Sequence, residues 1–449
     1  MAALRSVVRG LLFWGTLWGV SPALGGSADG PAIASPAESN PENWSLHGQS
    51  TFILQGQPGF NSPYAGANSL PSGDNLRDTF SIDLYFGFHP WAGSEFYANP
   101  EFFQGFGFAD THGIADFPNG EAYKVGSNYG KVIWPHIMFR QTIGLGGDQE
   151  KVEGDLLQMA GNVDVNRITF TIGRFAVFDH FDANSYAHDS RSQFMSWAMI
   201  DGGAFDYAAD AYGYTQGTSI EWNTKNWAIR WGVFIAPRVS NGVDLDWNIF
   251  KQWQQILEFE RRYTIDGHPG KVRLLGWLER AHMGSYADTL NDPALNLDIT
   301  ATERYRYQQG AVLGVEQEIT QDLGSFLRLS WRDGHSEVWQ FTDMDRALSL
   351  GLSLKGGSWN RDKDTAGLAW NLGGLSPSHE AFLAAGGLGP LIGDGRLNYG
   401  LESVAEAYYN AELFKGLHAS LDYQLVCNPA YNQDRGPINI FSVRLHYEF

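Results

Sequence analysis

The chain is poor in features that would each open a class of function. It contains a single cysteine, Cys427, among 449 residues. One thiol cannot close an internal disulfide, and it removes any cysteine-ligated zinc or iron–sulfur centre. Basic residues are scarce: 31 Lys plus Arg stand against 50 Asp plus Glu, a net charge of −19. A balance of that sign disfavours phosphate backbones, which excludes nucleic acid as a partner. Beyond the N-terminus no apolar run approaches the ~20 residues of a membrane helix, which excludes a helical membrane bundle. Crossing by strands is not excluded, because alternating segments barely raise the mean hydropathy. Catalytic signatures are missing too: there is no His-Glu-x-x-His pair, no Gly-x-Ser-x-Gly elbow and no Walker loop. Gly387–Gly393 misses the dinucleotide spacing, and Asn162–Asn166 lacks the later glycine and glutamate of a calcium loop. Paired carboxylates could hydrolyse glycosides, but 50 acids make close pairs commonplace. The expectation is a protein without enzymatic activity, metal or cofactor.

What the chain does have begins with an export signal. Arg5 and Arg9 precede the apolar run Gly10–Val20, and Ala23-Leu24-Gly25 supplies small residues at cleavage spacing. Residues 1–25 are therefore expected to be a signal peptide, too short in its apolar part to span a bilayer. Its removal takes away both arginines and no acid, so the mature chain is more acidic still. Residues 26–43, rich in Pro, Ala and Ser, read as a flexible periplasmic lead-in, and ordered patterning spans 44–449.

That patterning has a period of two. Phe80, Ile82, Leu84, Phe86 and Phe88 alternate with Ser81, Asp83, Tyr85, Gly87 and His89. The last segment repeats it, with Phe441, Val443, Leu445, Tyr447 and Phe449 against Ser442, Arg444, His446 and Glu448. Successive strand side chains point to opposite faces, so one face is oily and the other wet. Sixteen such segments are expected: 46–56, 79–89, 94–104, 132–145, 167–175, 217–222, 227–235, 255–265, 271–279, 311–319, 325–332, 347–354, 366–372, 402–410, 417–425 and 439–449. Long connections (57–78, 105–131, 176–216, 236–254, 280–310, 373–401) alternate with short ones (89–93, 223–226, 266–270, 320–324). The exception is 146–166, long where a short turn is due. This predicts an all-β, transmembrane antiparallel barrel of about 16 strands, with long outer loops, short periplasmic turns and both ends in the periplasm. Closure removes the unpaired edges that lipid would leave unsatisfied. A barrel this wide holds a water-filled lumen. The alternative is a secreted β-rich glycoside hydrolase, whose oily faces would pack in a soluble core.

Several stretches resemble the carbohydrate-selective porins of the OprB type. They are Phe117-Pro118-Asn119-Gly120-Glu121, Thr171–Phe175, Ala187–Met195, Asp206–Asp210, Pro269–Leu275 and Asn428–Asn432. The terminal Phe449 likewise resembles the insertion signal of bacterial outer-membrane proteins. The resemblance runs from about Trp44 to the end and implies a sixteen-stranded outer-membrane barrel passing monosaccharides by diffusion. It implies no invariant sugar-binding signature, so pore residues are chosen by strand phase and loop position.

The longest connection, Ala176–Gln216, is the third long loop, the one porins commonly fold inward. It carries Asp179, His180, Asp182, Asn184, His188, Asp189, Arg191, Asp201, Asp206 and Asp210 among Phe178, Phe181, Tyr186, Phe194, Trp197 and Tyr207. Polar groups suit sugar hydroxyls and rings suit sugar C–H faces, although the same charges could simply tie the loop to the wall. With the oily face outward, Glu95, Tyr97, Asn99 and Glu101 point inward, as do His136, Arg140, Glu221, Arg230, Glu258, Glu260, Arg262, Lys271 and Arg273. Acidic and basic walls facing each other would set a transverse field. Arg174 breaks the phase of its strand, which either bulges there or has ended. Glu121 from the second long loop completes the pore-lining, sugar-binding set. The expected partners are small carbohydrates and outer-membrane lipid; a homo-oligomer such as a trimer and a monomer both fit. A porin or exporter for anionic saccharides or other small anions is the rival transport reading, and it wants a lumen dominated by Arg and Lys.

Overall fold

The computed structural model describes residues 43–123 and 126–449; the expected signal peptide and the lead-in up to residue 42 lie outside them. The strands are β1 (Trp44–Gln57), β2 (Asn75–Phe88), β3 (Ser94–Gly105), β4 (Ser127–Gly144), β5 (Gln149–Val152), β6 (Gly161–Asp164), β7 (Arg167–Phe175), β8 (Thr215–Asn223) and β9 (Trp227–Phe234). They continue as β10 (Trp253–Ile265), β11 (His268–Met283), β12 (Arg304–Glu318), β13 (Leu323–Arg332), β14 (Arg346–Gly356), β15 (Arg361–Gly374), β16 (Glu402–Phe414), β17 (Leu417–Cys427) and β18 (Ile438–Glu448). All but β5 and β6 form one closed antiparallel barrel of sixteen strands, each paired with its sequence neighbour. Every expected segment falls within one barrel strand or overlaps it, and the anomalous connection 145–166 contains the β5–β6 hairpin.

Side-chain alternation explains the closure. In β2, Leu84, Phe86 and Phe88 are exposed on the outer surface, while Ser81, Asp83 and Tyr85 are buried inside. The exposed belt continues through Leu257 and Phe259 of β10, Leu421 of β17 and Phe441 and Val443 of β18. Burying such rows in lipid requires every backbone group of the sheet to be paired. The seam supplies this: β1 pairs with β18 from Gln49↔Glu448 to Gly56↔Phe441. Gly48 and Phe449 then exchange both N–H···O bonds at 3.0 Å. Aromatic pairs mark the two rims, Trp91–Phe139 and Trp222–Trp227 at the short-turn end and Trp253–Tyr307 at the long-loop end. Such girdles sit where amphipathic rings meet the headgroups.

The lumen is not a bare tube. The loop 176–214 between β7 and β8 crosses it and builds an apolar interior of its own. Phe181, Phe205 and Tyr207 of the loop, with Phe175 at the end of β7, pack on the inward Ile256, Leu275, Trp277 and Val312. Phe194 and Met199 pack on Phe326, Val404 and Tyr408 of the opposite wall. Wall charges anchor the loop backbone. Glu258 accepts from Asp182 N–H at 2.8 Å, Glu316 from Ser185 N–H at 2.9 Å, and Glu406 from Met195 and Ser196 N–H at 2.5 and 2.9 Å. Arg328 donates to the Ala187, Met199 and Asp182 carbonyls at 2.7–2.9 Å, and Arg444 to those of Ser190 and Gln193 at 2.5 and 3.0 Å. Buried charges of this kind persist only where their hydrogen-bonding capacity is met.

Candidate functional site

Between the crossing loop and the wall from β2 to β9 lies a cavity of about 780 Å³. Its walls come from inward positions of the strands, the loop between β3 and β4, the crossing loop and the connection 145–166 between β4 and β7, with Phe341 added from the loop after β13. Glu95, Glu121, His136, Arg140, Asp179, His188, Arg191, Trp197 and Arg230 all line it. Strand phase and loop position thus lead to residues that meet in space although they are distant in sequence.

Their charges are matched in pairs. His136 Nε2 lies 2.9 Å from Asp179, Arg140 lies 3.1 Å from Glu95, and Arg191 reaches Glu121 at 2.8 Å and Asp83 at 3.2 Å. Arg230 contacts Glu221 at 2.5 Å, Glu258 at 2.7 Å and Glu260 at 3.1 Å. Register produces this last cluster: Glu221, Arg230 and Glu258 stand directly opposite one another on β8, β9 and β10. Further round, Glu260 pairs with Arg262 at 2.7 Å and Arg273 at 2.9 Å, and Glu316 pairs with Arg273 at 3.0 Å and Lys271 at 2.9 Å. Acid and base therefore interleave along one wall. They do not occupy facing walls, as expected from the sequence, because cross-strand register places each glutamate beside an arginine.

Burial drives the loop histidines towards the neutral form. Desolvation, reinforced by nearby Arg328, lowers His188 to about 4, and desolvation with Arg140 lowers His180 to about 3. Burial raises the Asp179 carboxyl, but the adjacent His136 ring outweighs it, and the group ends below the ordinary aspartate value. Aromatic rings complete the cavity: Phe178 lies 3.8 Å from the His188 ring and 6.0 Å from Trp197, with Tyr85, Tyr123, Tyr207 and Tyr214 around them.

The other expected site residues sit elsewhere. Glu101 is buried behind the cavity, taking a 2.5 Å hydrogen bond from Tyr123. Asp182 is enclosed within the crossing loop by Gly202 N–H at 2.6 Å and Arg328 at 3.1 Å. Asp206 accepts the backbone N–H groups of Trp339, Gln340, Phe341 and Thr342 at 2.9–3.2 Å, tying two outer loops together. Glu260, Arg262 and Arg273 belong to the wall ladder outside the cavity lining. Arg174 neither follows a bulge nor lies beyond the strand end. Pairing runs through it in register, Ile137↔Arg174 and Arg174↔Gln216. The preceding Gly173 has φ +139°, where a Cβ would stand 2.3 Å from the Ile137 carbonyl. Arg174 itself bonds the Trp134 carbonyl at 2.8 Å and Asp210 at 2.7 Å.

The model of the carbohydrate-selective porin, OprB family, matches residues 67–449. No curated relative matches the chain at the sequence level. Among solved structures, the high-pH structure of Pseudomonas putida OprB aligns at 15% identity over 91% of this chain and 94% of that one, with a TM-score of 0.69. The outer-membrane channel DcaP of Acinetobacter baumannii aligns at 11% identity over 92% and 99%, with a TM-score of 0.49.

Proposed function

The chain belongs to the OprB family of carbohydrate-selective porins, and from that premise we propose how a solute passes through it. It is a bacterial outer-membrane porin for carbohydrates, of a family and fold that are those of channels. The proposed path runs through the cavity, where small neutral sugars such as glucose move one at a time. One observation carries this: each arginine that lines the cavity is already ion-paired, and rings stand beside the pairs. A neutral sugar can exchange hydroxyl hydrogen bonds with such pairs and lay C–H faces on Phe178, Trp197 and Tyr207 without bringing charge. A free anion finds no uncompensated arginine there, which weighs against the anionic-saccharide reading. The contacts are weak and replaceable, as conduction requires. The cavity falls within the roughly 300–1,000 Å³ usual for small-molecule sites, so size exclusion is the first filter. No catalytic role is proposed for the paired carboxylates, because each is held by a structural partner.

Liposome swelling with glucose, a disaccharide and a uronate tests the reading. Glucose is expected to enter fastest. Glucose influx no faster than into empty liposomes removes the proposal, and faster uronate influx favours the anion reading. Export is proposed to remove residues 1–25, which N-terminal sequencing of the outer-membrane protein checks by a start at Gly26.

A further inference from the structure

At the short-turn end one connection departs from the rest. The links 89–93, 224–226, 266–267, 319–322, 357–360 and 415–416 are brief, whereas 145–166 carries the β5–β6 hairpin. Its base is fixed to the rim. Leu145 N–H donates to the Asn166 carbonyl at 2.9 Å and Val165 N–H to the Asp148 carbonyl at 2.8 Å. Asn223 of β8 donates to the Val165 carbonyl at 2.8 Å, and Arg167 pairs with Glu150 at 2.6 Å.

The tip turns into the barrel. Asp155, Leu156, Leu157, Gln158 and Met159 line the same cavity from below. Met159 is 3% exposed and belongs to the apolar cluster of Tyr97, Met138 and Phe181, with Leu157 packed against it. Arg140 reaches from β4 to donate to the Leu157 carbonyl at 2.8 Å while paired with Glu95. The tip also reaches the β2 wall at Gly87: a Cβ there would meet Met159 Cγ at 3.4 Å, an ordinary contact distance, although its nearest neighbours would be Ser45 Oγ at 2.3 Å and the Tyr97 ring at 3.1 Å. A turn facing only the aqueous periplasm has no use for a buried Met beside half-buried Leu side chains.

We infer that residues 153–160 form a fixed tongue that narrows the periplasmic exit of the channel. It is a second restriction in series with the outer loops, and Leu156, Leu157, Gln158 and Met159 set its size limit. Its cavity edge offers C–H surface and one amide beside the single carboxylate of Asp155, so it selects chiefly by width. The inference rests on the channel reading but not on which sugar passes.

Deleting residues 149–164 joins Asp148 to Val165, whose backbone groups already hydrogen-bond. In planar bilayers the variant is expected to show at least twofold higher single-channel conductance. In liposomes it is expected to admit oligosaccharides that the full chain excludes. A heat-modifiable, folded variant with unchanged conductance and size limit overturns the inference. A second test keeps the tongue: Gln158→Cys in a Cys427→Ser background, treated with a bulky thiol reagent, should lose at least half its conductance. Lys151→Cys, exposed on β5 and outside both the tongue and the cavity lining, should lose none. Labelling at 158 without loss of current, or no labelling at all, also overturns the inference. Salt conductance is read without sugar, so failed glucose influx with a wild-type tongue effect counts against the sugar reading alone.

Discussion

Arg191 stands between Glu121 and Asp83, and its charge offsets part of theirs. Arg191→Ala would leave Glu121 in the cavity wall and Asp83 behind it without that counter-charge, so cation preference should rise at least twofold, read as a shifted reversal potential in a salt gradient. His188 predicts a pH effect. Its folded-state value of about 4 lies below the ordinary 6.5, so between those limits the unfolded chain binds more protons. Stability should therefore fall as pH drops from about 6.5 to about 4, and His188→Asn should lessen that fall in thermal melts of the detergent-solubilised protein. At this scale the sequence was only partly legible. His136, Arg140 and Arg230 follow from strand phase alone. Tyr85 sits on the wet face and lines the cavity, but a tyrosine fits either face, and Tyr123 and Tyr214 lie in loops that carry no phase. Asp206 looks like a pore carboxylate until its four N–H donors from another loop are seen.

The crossing loop behaves as an element held from the far wall. Glu406 accepts two of its backbone N–H groups, at Met195 and Ser196. Leaving such groups unpaired costs about 1–3 kcal/mol each. Glu406→Ala should free this stretch, and limited trypsin should cut after Arg191 several-fold faster, as fragment sizes on a gel would show. The elements themselves were legible because alternation marks whatever lies in lipid. Their ends were not. β4 begins at Ser127 rather than 132, and β12 at Arg304 rather than 311, because ladder pairing continues past the oily belt, through Gly105↔Ser127 and Met283↔Arg304. The hairpin in 145–166 escaped notice since its strands, Gln149–Val152 and Gly161–Asp164, are too short to show a period.

For the whole molecule, the alternation of long and short connections determined the topology, and an even strand number placed both ends on one side. The seam between β1 and β18 is completed by the terminal residue. Deleting Phe449 removes both of its backbone bonds to Gly48, so a smaller share of the protein should reach the heat-modifiable form in the outer membrane, measured on unboiled gels. What patterning could not reveal is how much of the lumen is filled, since the apolar residues of the crossing loop meet inward wall residues that have no periodic signature.

The β1–β18 pairing also has a topological consequence. It is an antiparallel pair like its neighbours, and the start of β1 lies beside the end of β18. The ring of strands thus has no intrinsic beginning. A circular permutant, with the old ends linked and new ones opened at the tight turn Asp266-Gly267, would retain every strand neighbour of the native ring.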